Sequence, residues 1–277
     1  MKLKLFSYNY ENTVIHRLSG LTKLICFLLL TFAVMYSYDI RVILGMLVFS
    51  ALIMRAAKIT FSQIKTMVIY VLVFIVINAI ITYLFSPEQG VAIYGTRHVL
   101  FQFSARYTVT LEQLLYQTTK FFKYISVIPL GIIFLLTTNP SEFASSVSRV
   151  GVPYKASFAL SLTLRYFPDV QRVYRDISLA QQARGLELSG KAKFSDRFKN
   201  SLLIVIPLIF STLERIEVIT NAMDLRGFGK LKRRTWYSSA KLTREDYLAL
   251  MVSIVLAAIT VMVSVFINHG RFFNPFL

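Results

Sequence analysis

TMVIYVLVFIVINAIITYLF, residues 66–85, runs for twenty residues without a charged side chain and decides the class of this protein. A membrane crossing needs about 20 mostly apolar residues in succession, and this stretch supplies them. The chain around it is 55% hydrophobic, 14% aromatic and 16% charged, against roughly 25% charged for ordinary soluble domains. Four further stretches have the same character: 21–38, 40–54, 121–138 and 246–267. The expected fold class is therefore an all-α integral membrane protein with about five spans. The aromatic segment 98–118 leaves a sixth span or an interfacial helix open beside these five.

Charge fixes the expected orientation. With five spans and a cytoplasmic N-terminus, 25 of the Lys and Arg residues fall inside and 6 outside, counting Arg41, Arg97, Arg106, Lys120, Lys123 and Arg271 as outer. The positive-inside rule favours that arrangement over its inverse. The net charge of +17 follows from this rule and from attraction to anionic headgroups; no nucleic-acid module accompanies it, so no nucleic-acid partner is expected. The single cysteine, Cys26, lies in the first apolar run and allows no intramolecular disulfide. It reads as a small buried apolar residue. The polar first twenty residues lack a cleavage pattern, so the first span is expected to be retained.

Three blocks follow: residues 1–138 with four spans, 139–245 as a basic block outside the membrane, and 246–277 as a last span with a short tail. The outer loop 86–106 is expected to lie along the interface. In the middle block, Asn139-Pro140-Ser141-Glu142 reads as a helix start, with a capping side chain, a proline in the first turn and an early acid. This helix should stop near Gly151 and Pro153. A second is expected over 155–184, bent at Pro168 and ended by Gly185. After a turn at Ser189-Gly190, Ser195 or Asp196 can cap a third helix that runs to Arg226 and stops at Gly227. Leu202, Ile206, Ile209, Leu213, Ile216 and Thr220 form a stripe at heptad-like spacing on the third helix. Val170, Val173, Ile177, Ala180 and Arg184 form another on the second. The two stripes are expected to pack across each other. The run Leu202 to Phe210, too short to span a bilayer, is expected to be buried against the spans.

The span cores contain no Asp, Glu, Lys, Arg or His. Such groups mark proton relays and ion paths, so an ion-coupled transporter is disfavoured, as is a lone channel or permease. Asn78 is the most polar group at depth and reads as an interhelical hydrogen-bonding residue. His16, His98 and His269 have no metal-ligand spacing, and no Gly-rich loop with Lys-Ser/Thr is present. Glu214 and Glu217, beside Arg215, read as a solvated helix face. No catalytic, metal or cofactor site is expected.

What remains is a matched pair of helix endings, Ala183-Arg184-Gly185 and Leu225-Arg226-Gly227-Phe228, 42 residues apart in the basic block. Taken singly, an arginine before a terminating glycine is an ordinary C-cap. Their pairing, the slim alanines Ala180, Ala183 and Ala222 in the last turns, and the bidentate fork of arginine suit the gripping of an acidic partner.

At these residues the chain resembles the T component of energy-coupling factor transporters, the vitamin and metal-ion ABC importers. Ala180-Gln181-Gln182-Ala183-Arg184-Gly185 is similar to that family's first Ala-Arg-Gly motif, and Ala222-Met223-Asp224-Leu225-Arg226-Gly227-Phe228 to its second. His16-Arg17-Leu18 with Lys23-Leu24 resembles an N-terminal signature, and Arg165-Tyr166-Phe167-Pro168 the start of the first long coupling helix. Leu225 stands where alanine is usual, which bears on how the second tip seats; Gly20-Leu21 replaces a common Pro-Arg.

The resemblance implies a non-catalytic subunit in a prokaryotic cell membrane. Two cytoplasmic ATP-binding subunits would receive the tips at Ala183, Arg184, Gly185, Ala222, Arg226 and Gly227. A separate substrate-binding integral membrane subunit, in which substrate choice resides, would be reoriented by their motion. The rival reading is a multi-span enzyme acting on anionic lipid headgroups; it accounts for the charge but has no nucleophile or metal cluster.

Overall fold

The computed structural model describes residues 13–102, 107–186, 194–231, 235–236, 242–270 and 272–275. It divides into two compact units, one of residues 1–139 with 240–277 and one of residues 140–239.

The first unit is a helical bundle. Its helices are α1 (Val14–Arg17), α2 (Gly20–Tyr36), α3 (Ile40–Ala56), α4 (Phe61–Phe85), α5 (Gln89–Tyr94), α6 (Leu111–Thr137) and, after the second unit, α10 (Arg244–Met262), which ends in a π-helical turn at Val263–Ile267. Short polar side chains start them: Ser19 Oγ accepts from the Thr22 N–H, Asp39 Oδ1 from Arg41 and Thr110 Oγ1 from Gln113. Each satisfies a donor that the first turn leaves orphaned. All five expected spans are helices. Met67–Phe85, Leu111–Thr137 and Arg244–Ile267 are long and apolar enough to cross a membrane, while α2 is a shorter apolar helix. α4 is apolar all round and exposes Ile69, Tyr70, Phe74, Ile77 and Ile81, as a lipid-facing helix does. Leu30, Val34, Met46 and Leu130 form the core, flanked by Phe27, Phe49 and Leu256.

In segment 98–118 the described residues form neither a sixth span nor a separate interfacial helix. The segment folds as an antiparallel pair, β1 (Val99–Gln102) and β2 (Thr108–Thr110), followed by the first turns of α6. Its β-branched and aromatic residues favour the pleated pairing, and Thr110 then caps α6 ten residues ahead of the expected start at 121. Gly90 of α5 lies so close to α6 that a Cβ there would sit 2.4 Å from the Glu112 carbonyl carbon.

Buried ionisable groups staple this unit, and the apolar-run reading missed them. Lys23, near the start of α2, donates to the Thr137 carbonyl at the end of α6 (2.7 Å) and to the His16 carbonyl (3.0 Å). Lys123 of α6 donates to the Met35 carbonyl at the end of α2 (2.6 Å) and lies 3.3 Å over the Tyr38 ring. Two antiparallel helices thus cap each other's negative ends reciprocally. Both lysines are buried. Because α6 starts at Leu111, Lys120 and Lys123 lie well inside a span instead of flanking it. Interhelical bonds from α6 to α4 come from Gln117 to the Ala79 carbonyl and Lys120 to Thr82, one turn from Asn78. Asp246 joins the last helix to the first: its Oδ2 accepts from the Thr243 N–H and hydroxyl, and its Oδ1 from the Ser19 N–H at 2.8 Å. At the other end of the bundle, buried Asp39 binds Arg41 through both oxygens and accepts from Asn268. Tyr38 stacks on Phe272 (4.5 Å).

The second unit contains α7 (Pro140–Arg149), α8 (Tyr154–Ala183) and α9 (Phe194–Leu225). α7 starts at the expected proline with Glu142 in its first turn, and Gly151 follows with φ of 117°. α8 runs continuously through Pro168, and α9 through Pro207. α9 starts at Phe194, so Ser195 and Asp196 are helical residues, not caps; the Ser189-Gly190 turn lies outside the described residues.

The stripes do not both face inward. Val170, Val173 and Ile177 of α8 are half-buried. On α9, however, Leu202, Ile206, Ile209, Leu213 and Ile216 are exposed, while Ile204 is fully buried and Leu208, Ser211, Ile219 and Met223 are half-buried. The inward face of α9 is therefore rotated from the heptad stripe. The polar side chains along it and the ion pair of Arg215 to Asp169 of α8 (3.8 Å) conceal it from a hydrophobic-pattern reading. The run Leu202 to Phe210, expected to be buried, is exposed at six of its positions: Leu202, Leu203, Val205, Ile206, Ile209 and Phe210.

Candidate functional site: two matched helix ends

α8 and α9 end in the same backbone geometry. After α8, Gly185 has φ of 88°; its N–H donates to the Gln182 carbonyl (2.9 Å), and the Leu186 N–H donates to Gln181 (3.0 Å). After α9, Gly227 has φ of 68°; its N–H donates to Asp224 (2.9 Å), and the Phe228 N–H donates to Met223 (3.0 Å). Both are complete Schellman motifs, with the 6→1 and 5→2 bonds and a left-handed glycine. The arginine occupies the cap position in each, beside the negative helix end. Ala183, Arg184 and Gly185 are exposed, as are Ala222 and Arg226, and Gly227 is half-buried. Leu225, the residue standing in place of alanine, is 90% exposed, so its bulk projects from the second tip.

The two tips do not lie together. Phe228, the residue that closes the second motif, packs on Phe158 (4.6 Å between ring centroids) and Tyr154 (5.8 Å) in the first turns of α8. Trp236 stacks on Tyr154 at 5.6 Å. The Lys155 side chain reaches within 3.8 Å of where a Cβ on Gly229 would stand. With Asp169 opposite Arg215, these contacts make the helices antiparallel. Arg226 is then level with Phe158, about 26 residues before Arg184, so the tips are separated by roughly 40 Å along α8 at 1.5 Å per residue. The aromatic clamp was not singled out from the sequence; the chain's one tryptophan and the i, i+4 pair Tyr154/Phe158 were the available signal.

Glu214 and Glu217 are exposed, as expected of a charged face. Among the described residues no three His, Cys, Asp or Glu side chains gather as metal ligands. Part of the N-terminal signature comes together: the His16 carbonyl accepts from Lys23, and His16 Nδ1 lies 2.7 Å from the Thr13 hydroxyl.

Membrane-length apolar helices, together with a separate pair of long helices ending in matched cationic tips, define a multi-pass all-α membrane protein. The family model described as cobalt transport protein, CbiQ, matches residues 11–237. Proteins named energy-coupling factor transporter transmembrane protein EcfT are similar over nearly the full chain. The one from Exiguobacterium sibiricum is 26% identical over 260 residues, covering 89% of this chain and 93% of that one. The one from Staphylococcus aureus is 26% identical over 272 residues, covering 94% and 97%. The one from Streptococcus equi subsp. equi is 26% identical over 267 residues, covering 92% and 94%. The chain belongs to this family, the transmembrane T components of energy-coupling factor transporters.

Proposed function

We propose that this chain transmits ATP-driven motion from two cytoplasmic ATP-binding subunits to a substrate-binding integral membrane subunit, in the uptake of a vitamin or metal ion. It performs no catalysis itself. The N-terminus and the unit carrying α7 to α9 face the cytoplasm of a prokaryotic cell, the arrangement that places most of the basic residues inside. The observation that carries the proposal is the duplication of one Schellman-capped, arginine-tipped ending at points roughly 40 Å apart along α8. A single ATPase groove cannot reach both tips, whereas a pair of ATPases can take one each. Arg184 and Arg226 supply the fork for an acidic groove, and the slim alanines permit entry. The exposed α9 stripe, Leu202 to Ile216, offers the apolar surface on which a hydrophobic membrane subunit rests.

The test is the double substitution Arg184→Glu/Arg226→Glu in the assembled transporter. Copurification with both ATPases and substrate uptake should be lost, while the chain still inserts in the membrane. Charge reversal at an exposed helix end costs only about 0.3–1 kcal/mol of folding, too little to explain loss of the complex by unfolding. Copurification at the unsubstituted level would reduce the endings to ordinary helix caps.

A further inference from the structure

A cavity of about 460 Å³ opens in the first unit at the end of the bundle where α2 and α10 begin and α6 finishes. Its walls are largely apolar and include Phe27, Leu30, Phe49, Leu130, Phe134 and Leu248. Along α10 it extends from Glu245 to Ser253, about 12 Å at 1.5 Å per residue. That approaches the depth of one leaflet, half of a hydrocarbon core about 30 Å thick. The size falls within the range of pockets that hold small amphiphiles, roughly 300–1,000 Å³.

The mouth has a different chemistry. Arg17 precedes the lining residue Leu18, Arg55 lies between the lining residues Ile53 and Ala56, and Arg244 precedes Glu245. All three arginines are exposed, as is Lys58 one turn beyond Arg55. Lys23, which also lines the cavity, is directed to two backbone carbonyls. Among the described lining residues Glu245 is the one acid, so the described rim is net cationic over an apolar slot between membrane helices. Basic pockets between spans of this kind hold anionic lipid headgroups.

We infer that this cavity seats one acyl chain of an anionic glycerophospholipid, with its phosphate held at the rim by Arg55, Arg244 and Arg17. A bound lipid fills space that the five surrounding helices leave open and ties α3 to α10 through its headgroup. Proteins that merely sit in lipid need no such coincidence of a half-open apolar slot and a cationic rim.

The experiment uses the full chain in lipid nanodiscs. Phosphatidylglycerol carrying a photoactivatable group near the end of one tail is compared with phosphatidylcholine carrying the same tail. Adducts mapped by mass spectrometry should fall on the cavity lining, at least about fivefold more from phosphatidylglycerol, since each cation near an anionic surface contributes about that factor. Arg55→Gln/Arg244→Gln should bring the yield down to the phosphatidylcholine level. Ala249→Phe, which fills the slot, should abolish lining adducts from both lipids. The arginine pair lies on the surface, so it carries the test alone if the filled variant does not fold. Equal labelling by the two headgroups, adducts confined to the lipid-facing side of α4, or a lining protected by a copurified polypeptide overturns the inference.

Discussion

Replacing Asp246 by alanine tests the tie that a buried carboxylate makes between α10 and the start of α2. Asp246 is 1% exposed. One oxygen closes the capping box of α10 through the Thr243 N–H and hydroxyl; the other receives the Ser19 N–H at 2.8 Å. Alanine removes the N3 half of the capping box, the two bonds that Thr243 donates, at a cost of about 1 kcal/mol. It also leaves the buried Ser19 N–H without an acceptor, which costs a further 1–3 kcal/mol or so. The total is about 2–4 kcal/mol. At roughly 2–4 °C per kcal/mol for a chain of this size, thermal unfolding in detergent should move down by roughly 4–16 °C. Thr243→Ala separates the two contributions, because it disturbs the capping box and leaves the Ser19 bond in place; it should cost about 1 kcal/mol. The difference between the two variants measures the α2–α10 link. If Asp246→Ala and Thr243→Ala melt within about 2 °C of each other, near 1 kcal/mol or less, the carboxylate does not join the helices and the reasoning fails.

Two further outcomes follow from the same geometry. Gly227→Ala forces a Cβ into a left-handed backbone at φ of 68°, which costs about 1–2 kcal/mol; the last turn of α9 should fray, seen as faster amide exchange at Arg226 and Phe228 and weaker ATPase copurification. For Asp39, burial raises the carboxyl, but hydrogen bonds from Arg41 and Asn268 outweigh it and hold the group below its usual value. A lowered folded pKa gives stability that is present above the unfolded value, near 3.9, and is lost as pH falls through the folded one. Protease protection of residues 268–275 should therefore be flat from pH 8 to about pH 5 and decline only below about pH 4.

The membrane helices were legible because bilayer crossing demands long apolar runs, and residues 66–85 have no other reading. The matched endings were legible for a similar reason: glycine at a positive φ and an arginine cap are written in adjacent residues. Segment 98–118 stayed open between a span and an interfacial helix because its alternating Val, Phe and Thr residues were weighed by aromatic content and not by strand period. The α9 stripe misled for a different reason. Heptad spacing reports that one face is apolar, but not what covers it, and here the packing face carries Ser211 and the Asp169–Arg215 ion pair. Lys23, Lys123 and Asp246 were hidden because a charged residue near a span end looks solvent-facing. Only tertiary structure shows that the carbonyls of another helix end or another helix's cap N–H lie within reach.

The distribution of strong contacts distinguishes the two units mechanically. In the first, buried charge-assisted bonds join α2 to α6 and α2 to α10, and breaking any of them strands a buried polar group. In the second, α8 and α9 are held by an aromatic clamp at one end, Tyr154, Phe158, Phe228 and Trp236. Midway there is one ion pair whose partners are 44% and 40% exposed, worth no more than about 1 kcal/mol. Aromatic pairs contribute about 0.5–1.5 kcal/mol each beyond the area they bury, so the clamp is the firmer joint. Force applied at Arg226 acts on α9 beside that joint and passes directly to the start of α8. Force at Arg184 acts roughly 40 Å away along α8, at the end of the pair opposite the clamp. In the coupling role proposed above, a pair of rods clamped most firmly at one end turns a small separation of its free tips into a change of angle between them.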